Sequence, residues 1–339
     1  MKAIIHIGTA KTGSTTIQRF LRDNLRRLSR AGYYIPMYRP TKQYGFHAYA
    51  LTQAKHMSEK RLSNYLGIHS QADLEAFQSK FKKKAQGDLA RASKKSSHLV
   101  LSAEGLSSRN KKEIRRLREL LEPSCSEFVV VIYLRRQDLK RVSQFRNMIK
   151  NRGYTSGEVF TEEYVSSLDY YSVCKRWARV FGESAVHPRI FPDSALETYD
   201  LIDDFAEVSG IAETSVYPKL KRAGRSNEAW DWRAVEFYRL MNDHLPALVD
   251  GKMPSERKRL EEVLKNCFPE CEQRRLPRAE AMRFYEIYRE SNDKLRDEWF
   301  PHQASVFQED FSKYPENPAP RELSVEEAIF ITTRILQAS

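Results

Sequence analysis

The stretch Lys2-Ala3-Ile4-Ile5-His6-Ile7-Gly8-Thr9-Ala10-Lys11-Thr12-Gly13-Ser14-Thr15-Thr16-Ile17-Gln18-Arg19-Phe20-Leu21 carries three local signals in succession. Residues 2–7 form a short apolar run of the kind that fills a strand buried on both faces. Gly8 and Gly13 then punctuate a loop. From Thr16, the apolar positions Ile17, Phe20 and Leu21 recur at three- and four-residue spacing, which predicts a helix. A glycine loop between a strand and a helix brings backbone N–H groups and the positive end of the helix dipole to one point, which is an anion site. Lys11 and the hydroxyls of Thr12, Ser14, Thr15 and Thr16 add further donors.

Working outward, further apolar runs predict strands at 98–102, 128–134 and 186–191, of which 128–134 is the strongest. Helical patterns lie between them at about 74–92, 139–151 and 195–210, and beyond residue 212 at 230–244, 254–267, 279–300 and 325–337. Strands alternating with helices imply an α/β fold with a central parallel sheet covered on both faces. The expected architecture is a three-layer, P-loop-like sandwich with helical insertions and a helical C-terminal portion packed on the sheet. It reads as one domain over 1–339. Within it, 1–36 form the loop unit, 37–97 a variable insertion suited to acceptor binding, 98–212 the rest of the sheet and 213–339 the helical portion. Residues 315–320 read as a turn, and no internal repeat or low-complexity segment is evident.

With 339 residues, 41% hydrophobic and 30% charged, and a mean hydropathy of -0.64, the chain can bury a large core, and fibrous or disordered classes are excluded. The formal charge is +12 and the pI about 9.4, so anionic partners are favoured. Cys125, Cys174, Cys267 and Cys271 are too few and scattered for a disulfide framework, and reduced thiols in the cytoplasm are expected. The N-terminal apolar run is too short for a signal sequence, and no stretch approaches the roughly 18 apolar residues of a membrane span. Peripheral contact with an acidic membrane surface remains compatible with the charge.

The loop is not a Walker A sequence, because Ser14 rather than Lys follows Gly13 and the lysine comes two residues before that glycine. Nucleotide hydrolases place an acid near the end of such a partner strand to help hold magnesium. Here the 128–134 strand runs instead into Arg135-Arg136. An arginine there meets a phosphate directly.

These residues resemble the sulfotransferases that use 3′-phosphoadenosine 5′-phosphosulfate. Their 5′-phosphosulfate loop is similar to residues 6–15, and their 3′-phosphate motif, a strand-end arginine with a serine eight residues later, is similar to Arg135 and Ser143. The closest likeness is to bacterial carbohydrate sulfotransferases. Weaker likenesses lie in Leu101-Ser102-Ala103-Glu104-Gly105-Leu106, Asp203-Asp204-Phe205, Ser226-Asn227 and Ser291-Asn292. The resemblance implies that Lys11, Thr12, Gly13, Ser14, Thr15 and Thr16 hold the phosphosulfate and Arg135 and Ser143 the 3′-phosphate. It also implies a sulfonucleotide donor, no metal, and an acceptor hydroxyl on a carbohydrate, polysaccharide or glycolipid. The basic stretch at 221–227 is a poor match to the segment that closes on the 3′-phosphate in the cytosolic branch.

Lys11 is the expected charge stabiliser, since an ammonium beside a leaving oxygen lowers the barrier. Successive strand residues face opposite sides, so Arg135 and Arg136 do not both enter one site, and the eight-residue spacing to Ser143 selects Arg135; Arg136 is expected to pair with Asp138 or an acidic helix. Two residues compete as general base. Glu104 follows a strand at the carboxyl edge where α/β sheets bind ligands, and His47 has an ordinary pKa suited to proton transfer. His6 reads as a neutral core histidine, and no histidine pair has metal-ligand spacing. The basic runs at 80–84 and 109–118 read as solvated helix faces, Phe284, Tyr285 and Tyr288 as core, and Tyr33, Tyr34, Tyr38 and Tyr44 as acceptor-stacking candidates. The competing readings are a P-loop kinase or nucleotidase using magnesium ATP, and a nucleic-acid-binding protein, for which no motif is present.

Overall fold

Five strands, β1 (Lys2–His6), β2 (Tyr33–Tyr34), β3 (His98–Ser102), β4 (Glu127–Leu134) and β5 (Val186–Ile190), form one sheet in the spatial order β2-β3-β1-β4-β5. Every pairing is parallel. The protein is represented by a computed structural model, which describes residues 1–38, 43–57, 60–160, 165–191, 200–222, 230–249, 253–268, 276–316 and 322–338, the side chains of 60–62 excepted. Lys2 stands opposite His98 and Glu127, and His6 opposite Ser102 and Val131. The register therefore ends β1 and β3 level with one another, while β4 runs three residues further to Leu134.

In chain order the helices are α1 (Ser14–Asp23), α2 (Leu25–Arg30), α3 (Tyr44–Ala50), α4 (Lys60–Leu66), α5 (Gln71–Ala92), α6 (Lys111–Leu121), α7 (Gln137–Arg152), α8 (Tyr170–Phe181), α9 (Leu201–Val208), α10 (Trp232–Met241), α11 (Ser255–Lys265), α12 (Arg278–Glu286), α13 (Arg289–Trp299) and α14 (Val325–Gln337). The single helix expected at 279–300 is two, because the Tyr288 N–H bonds to the Tyr285 carbonyl at 3.0 Å and tightens the chain into a turn that buries the Tyr288 ring. The first part of the helix expected from 195 falls outside the described residues. β2 was not anticipated, since two residues cannot display a period.

Ile4, Ile5, Val100, Val130 and Val131 are all fully buried, so neighbouring residues on a strand are covered on opposite faces. This is why the central strands read as continuous apolar runs. Phe20 and Leu21 of α1 and Phe205 of α9 close one side of the core with Tyr33 and Tyr133.

The chain divides into two compact units. One, Met1–Arg135, Val165–Ser226 and Glu290–Phe307, contains the whole sheet. The other, Arg136–Tyr164, Asn227–Arg289 and Gln308–Ser339, contains α7, α10, α11, α12 and α14. In this second unit the buried Arg257 donates to the Tyr238 hydroxyl at 3.0 Å, the Leu245 carbonyl at 2.7 Å, Asn242 Oδ1 at 2.8 Å and the Lys150 carbonyl at 3.2 Å, tying α11 to α10 and α7. Among the described residues, no helix is long and apolar enough to cross a membrane.

Candidate functional site

Beyond β1 the backbone turns through three left-handed residues, Gly8 (φ +62°), Lys11 (φ +67°) and Gly13 (φ +79°). A Cβ on Gly8 would stand 2.8 Å from the Glu104 backbone, and one on Gly13 would overlap the Leu201 side chain. Both glycines are thus required by conformation and by space. Lys11 has no such licence; a left-handed non-glycine residue costs about 1–2 kcal/mol, and backbone strain of this kind gathers at functional sites.

The loop is braced by its own hydroxyls. Thr12 Oγ1 donates to the Thr9 carbonyl at 2.8 Å, and Thr9 Oγ1 donates to the Tyr133 carbonyl on β4 at 2.9 Å. Thr12 and Ser14 are buried, whereas Thr15 is exposed and Thr16 half-buried. The Thr16 N–H already donates to the Gly13 carbonyl at 2.9 Å. Gly13 caps α1 with no side-chain bond, which leaves the helix N-terminus to whatever approaches the loop.

Glu104 begins a short helical turn directly after β3. That turn is docked on the end of β1, with the Ala103 N–H donating to the His6 carbonyl at 3.1 Å and the Ser107 N–H to the Ile7 carbonyl at 3.2 Å. Lys11 is half-buried. Burial pulls its ammonium below the usual lysine range, and the Glu104 carboxylate opposes that shift. The lysine and the carboxylate, 93 residues apart in sequence, therefore act on one another across the ends of adjacent strands.

His47, on α3, is 5% exposed and lies flat against Gly105, where a Cβ would overlap its ring. Burial, aided by the Arg109 guanidinium, pushes its pKa down to about 4. At that value the imidazole is neutral near pH 7 and a weaker proton acceptor than an ordinary histidine. Arg109 itself corrects the reading of 109–118 as a solvated face: it is buried, donates to the Gly105 carbonyl at 3.2 Å and Ser108 Oγ at 2.9 Å, and sits 3.6 Å from buried Glu113. The signal that marked it was Asn110 with Glu113 three residues later, a capping box that places Arg109 before the helix rather than on its wet face.

Arg135 follows β4. Its guanidinium lies 5.7 Å from the centre of the Phe191 ring, and Phe191 in turn borders Gly13, where an added Cβ would come within 3.3 Å of it. The Arg135 carbonyl accepts the Tyr170 hydroxyl at 2.6 Å. Ser143 is half-buried on α7, in the second unit. Arg136 makes a two-point pair with Asp138 (2.8 and 3.0 Å) and stacks on Phe311 at 4.2 Å, as a structural residue would.

Other sequence candidates sort by burial. His6 is wholly buried, its Nδ1 2.8 Å from Ser102 Oγ, and burial lowers its pKa to about 3. Tyr33 donates to the Ser209 carbonyl at 3.2 Å and stacks on His98, and Tyr38 packs with Phe46 and Phe81, so neither is placed to stack on a ligand. Tyr44 lines a cavity of about 180 Å³ beside α1. Asp204 is occupied by Arg189 and the Tyr133 hydroxyl, the latter at 2.7 Å. Ser226, Asn227 and most of 221–227 lie outside the described residues, as does Cys271; Cys125, Cys174 and Cys267 are buried free thiols. Among the described residues, no three His, Cys, Asp or Glu side chains gather as a metal site.

No protein-family model matches the chain. An uncharacterized protein of Archaeoglobus fulgidus is 28% identical over 246 residues, covering 68% of this chain and 62% of the relative, so the chain spans less than two thirds of that relative's length. The crystal structure of a sulfotransferase from Alicyclobacillus acidocaldarius superposes with a TM-score of 0.40 at 16% identity, over 70% of this chain and 93% of the other.

Proposed function

We propose that this protein is a sulfotransferase that takes a sulfuryl group from 3′-phosphoadenosine 5′-phosphosulfate and passes it to a hydroxyl of a carbohydrate or glycolipid. The observation that carries the reading is the packing of the Glu104 turn against a glycine loop that admits no side chain at Gly8 or Gly13, with the Glu104 carboxylate favouring the charged form of Lys11 against burial. The residues suit a phosphosulfate: an uncapped helix N-terminus, a lysine partly stripped of water, and an arginine at the next strand end. The donor supplies an activated sulfur with a phosphate leaving group. Glu104 takes the proton from the acceptor hydroxyl as its oxygen bonds to sulfur, the sulfur–oxygen bond to phosphate breaks, and Lys11 stabilises the charge that collects on the departing oxygen. Arg135, at the end of β4, holds the 3′-phosphate. His47 packs the turn that carries Glu104.

The test is calorimetric binding of 3′-phosphoadenosine 5′-phosphate without magnesium, beside ATP, to the native chain and to Lys11→Ala and Arg135→Ala. Tight metal-independent binding of the bisphosphate, weakened most by Arg135→Ala, is expected. Failure to bind it, or a preference for magnesium ATP, overturns the reading in favour of a kinase.

A further inference from the structure

The first 58 residues hold ten Lys and Arg against a single acid, Asp23, a formal +9 within the +12 of the whole chain. The excess is not spread evenly over the protein, and one cavity collects its consequence. This cavity, about 180 Å³, lies beside α1 and is lined by Thr15, Gln18, Arg19, Leu21 and Arg22 of that helix and by Met37, Gln43 and Tyr44, with Ser102 at the end of β3. Residues 15, 18, 19 and 22 form one stripe of α1, turned away from its buried Ile17 and bordered by Leu21, which also lines the cavity. A rise of about 1.5 Å per residue places Arg19 about 6 Å, and Arg22 about 10 Å, along the axis from Thr15 at the loop.

The polar wall is fixed. Gln18 Nε2 donates to the Ser102 carbonyl at 3.3 Å, Gln43 Nε2 to the Val100 carbonyl at 3.0 Å, and the Ser102 N–H to Gln43 Oε1 at 2.6 Å. Arg22 pairs with Asp23 at 3.2 Å. Arg19 is half-buried and, among the described residues, faces no carboxylate. A half-buried guanidinium left without an anion in a cavity is a binding group in waiting, and its planar fork suits an oxyanion. The volume is below the roughly 300–1,000 Å³ of sites that enclose a whole drug-sized ligand, so it fits one ring-sized unit of a longer chain.

We infer that this cavity is an acceptor subsite for an acidic carbohydrate, in which Arg19 holds a carboxylate or sulfate on the sugar next to the one that reacts. The inference rests on the sulfotransferase reading for its role in transfer but not for the binding itself. Arg19 sets specificity and does no chemistry, whereas Gln18, Gln43 and Tyr44 supply the ring's remaining contacts.

The experiment titrates the full chain, with and without 3′-phosphoadenosine 5′-phosphate, with three disaccharides: a hexuronic acid form, its carboxyl-reduced neutral counterpart and a sulfated form. At low salt the acidic forms are expected to bind at least tenfold tighter than the neutral one. Arg19→Gln is expected to remove that preference, Arg19→Lys to restore part of it, and Arg26→Gln, an exposed arginine outside the cavity, to leave it intact. A preference for the uronate or for the sulfate identifies the oxyanion. Equal binding of acidic and neutral forms, no binding of either, or an unchanged preference in Arg19→Gln overturns the inference. Bisphosphate binding that survives such a result keeps the sulfotransferase reading; loss of bisphosphate binding alone removes that reading while the saccharide arms still decide the subsite.

Discussion

The Cα of Glu104 occupies the space that a side chain on Gly8 would need: a Cβ there would approach to 2.8 Å. The glycine loop and the turn bearing the proposed base are thus packed with no room for a side chain between them at Gly8. Gly8→Ala meets both this clash and a left-handed φ of +62°. It is expected to destabilise the protein by about 1–3 kcal/mol, the cost of strained backbone plus crowding, and to abolish bisphosphate binding, read by urea unfolding and calorimetry.

Lys11 holds a left-handed backbone conformation that glycine adopts at no cost. Lys11→Gly relieves a left-handed non-glycine residue, so the melting temperature is expected to stay the same or rise, against the usual loss of about 0.4–1 kcal/mol when glycine loosens the unfolded chain. Turnover in the same variant is expected to fall about 10²–10³-fold, the scale of losing one charge-stabilising donor. A lower melting temperature with turnover retained would contradict both statements.

The two candidate bases separate by substitution. Glu104→Gln is expected to lose about 10²–10⁴-fold in turnover, the range of general base catalysis, while His47→Asn stays within tenfold of native at pH 7. Equal losses, measured as bisphosphate released per acceptor sulfated, would restore His47 to the chemistry.

His47 and His6 also make stability depend on pH. Both are neutral when folded, with pKa values lowered to about 4 and about 3, whereas the unfolded chain protonates near 6.5. Between about pH 4 and 6.5 the unfolded state binds more protons, so stability rises with pH there and levels above. Moving from pH 7 to 5 is expected to remove on the order of 2 kcal/mol per histidine, visible as a lower urea midpoint, with a smaller drop in His47→Gln.

Glu113 answers the buried Arg109 and also accepts from the Thr52 N–H at 3.0 Å and hydroxyl at 3.2 Å. Glu113→Ala strands that guanidinium and is expected to cost about 3–5 kcal/mol in urea unfolding. Replacing both Arg109 and Glu113 with apolar residues should cost less than the sum of the single changes.

Four strands, the glycine loop and α1 were legible because each is a local pattern: β-branched runs, two glycines, apolar residues at helical spacing. The places of Lys11 in the loop after β1 and of Arg135 at the end of β4 were legible for the same reason, while their roles remain proposals. Arg109 was misread, since a charge count cannot distinguish an arginine just before a helix cap from one on the helix face. Tyr33 and Tyr38 were misread because an aromatic ring looks alike whether it packs in a core or lines a cleft. Gly105 carried no local signal at all; its small size matters only because the His47 ring, contributed by α3, rests upon it.

By itself the sequence determined the α/β class and the succession of strand, glycine loop and helix at residues 2–21, because backbone propensity and apolar spacing are properties of neighbouring residues. Only the tertiary structure decided which charges meet. The parallel register sets β3, β1 and β4 side by side at one edge, and burial then lowers the dielectric around Lys11, Glu104 and His47. Electrostatic interaction depends on distance through space and on exclusion of water, and neither quantity is written along the chain.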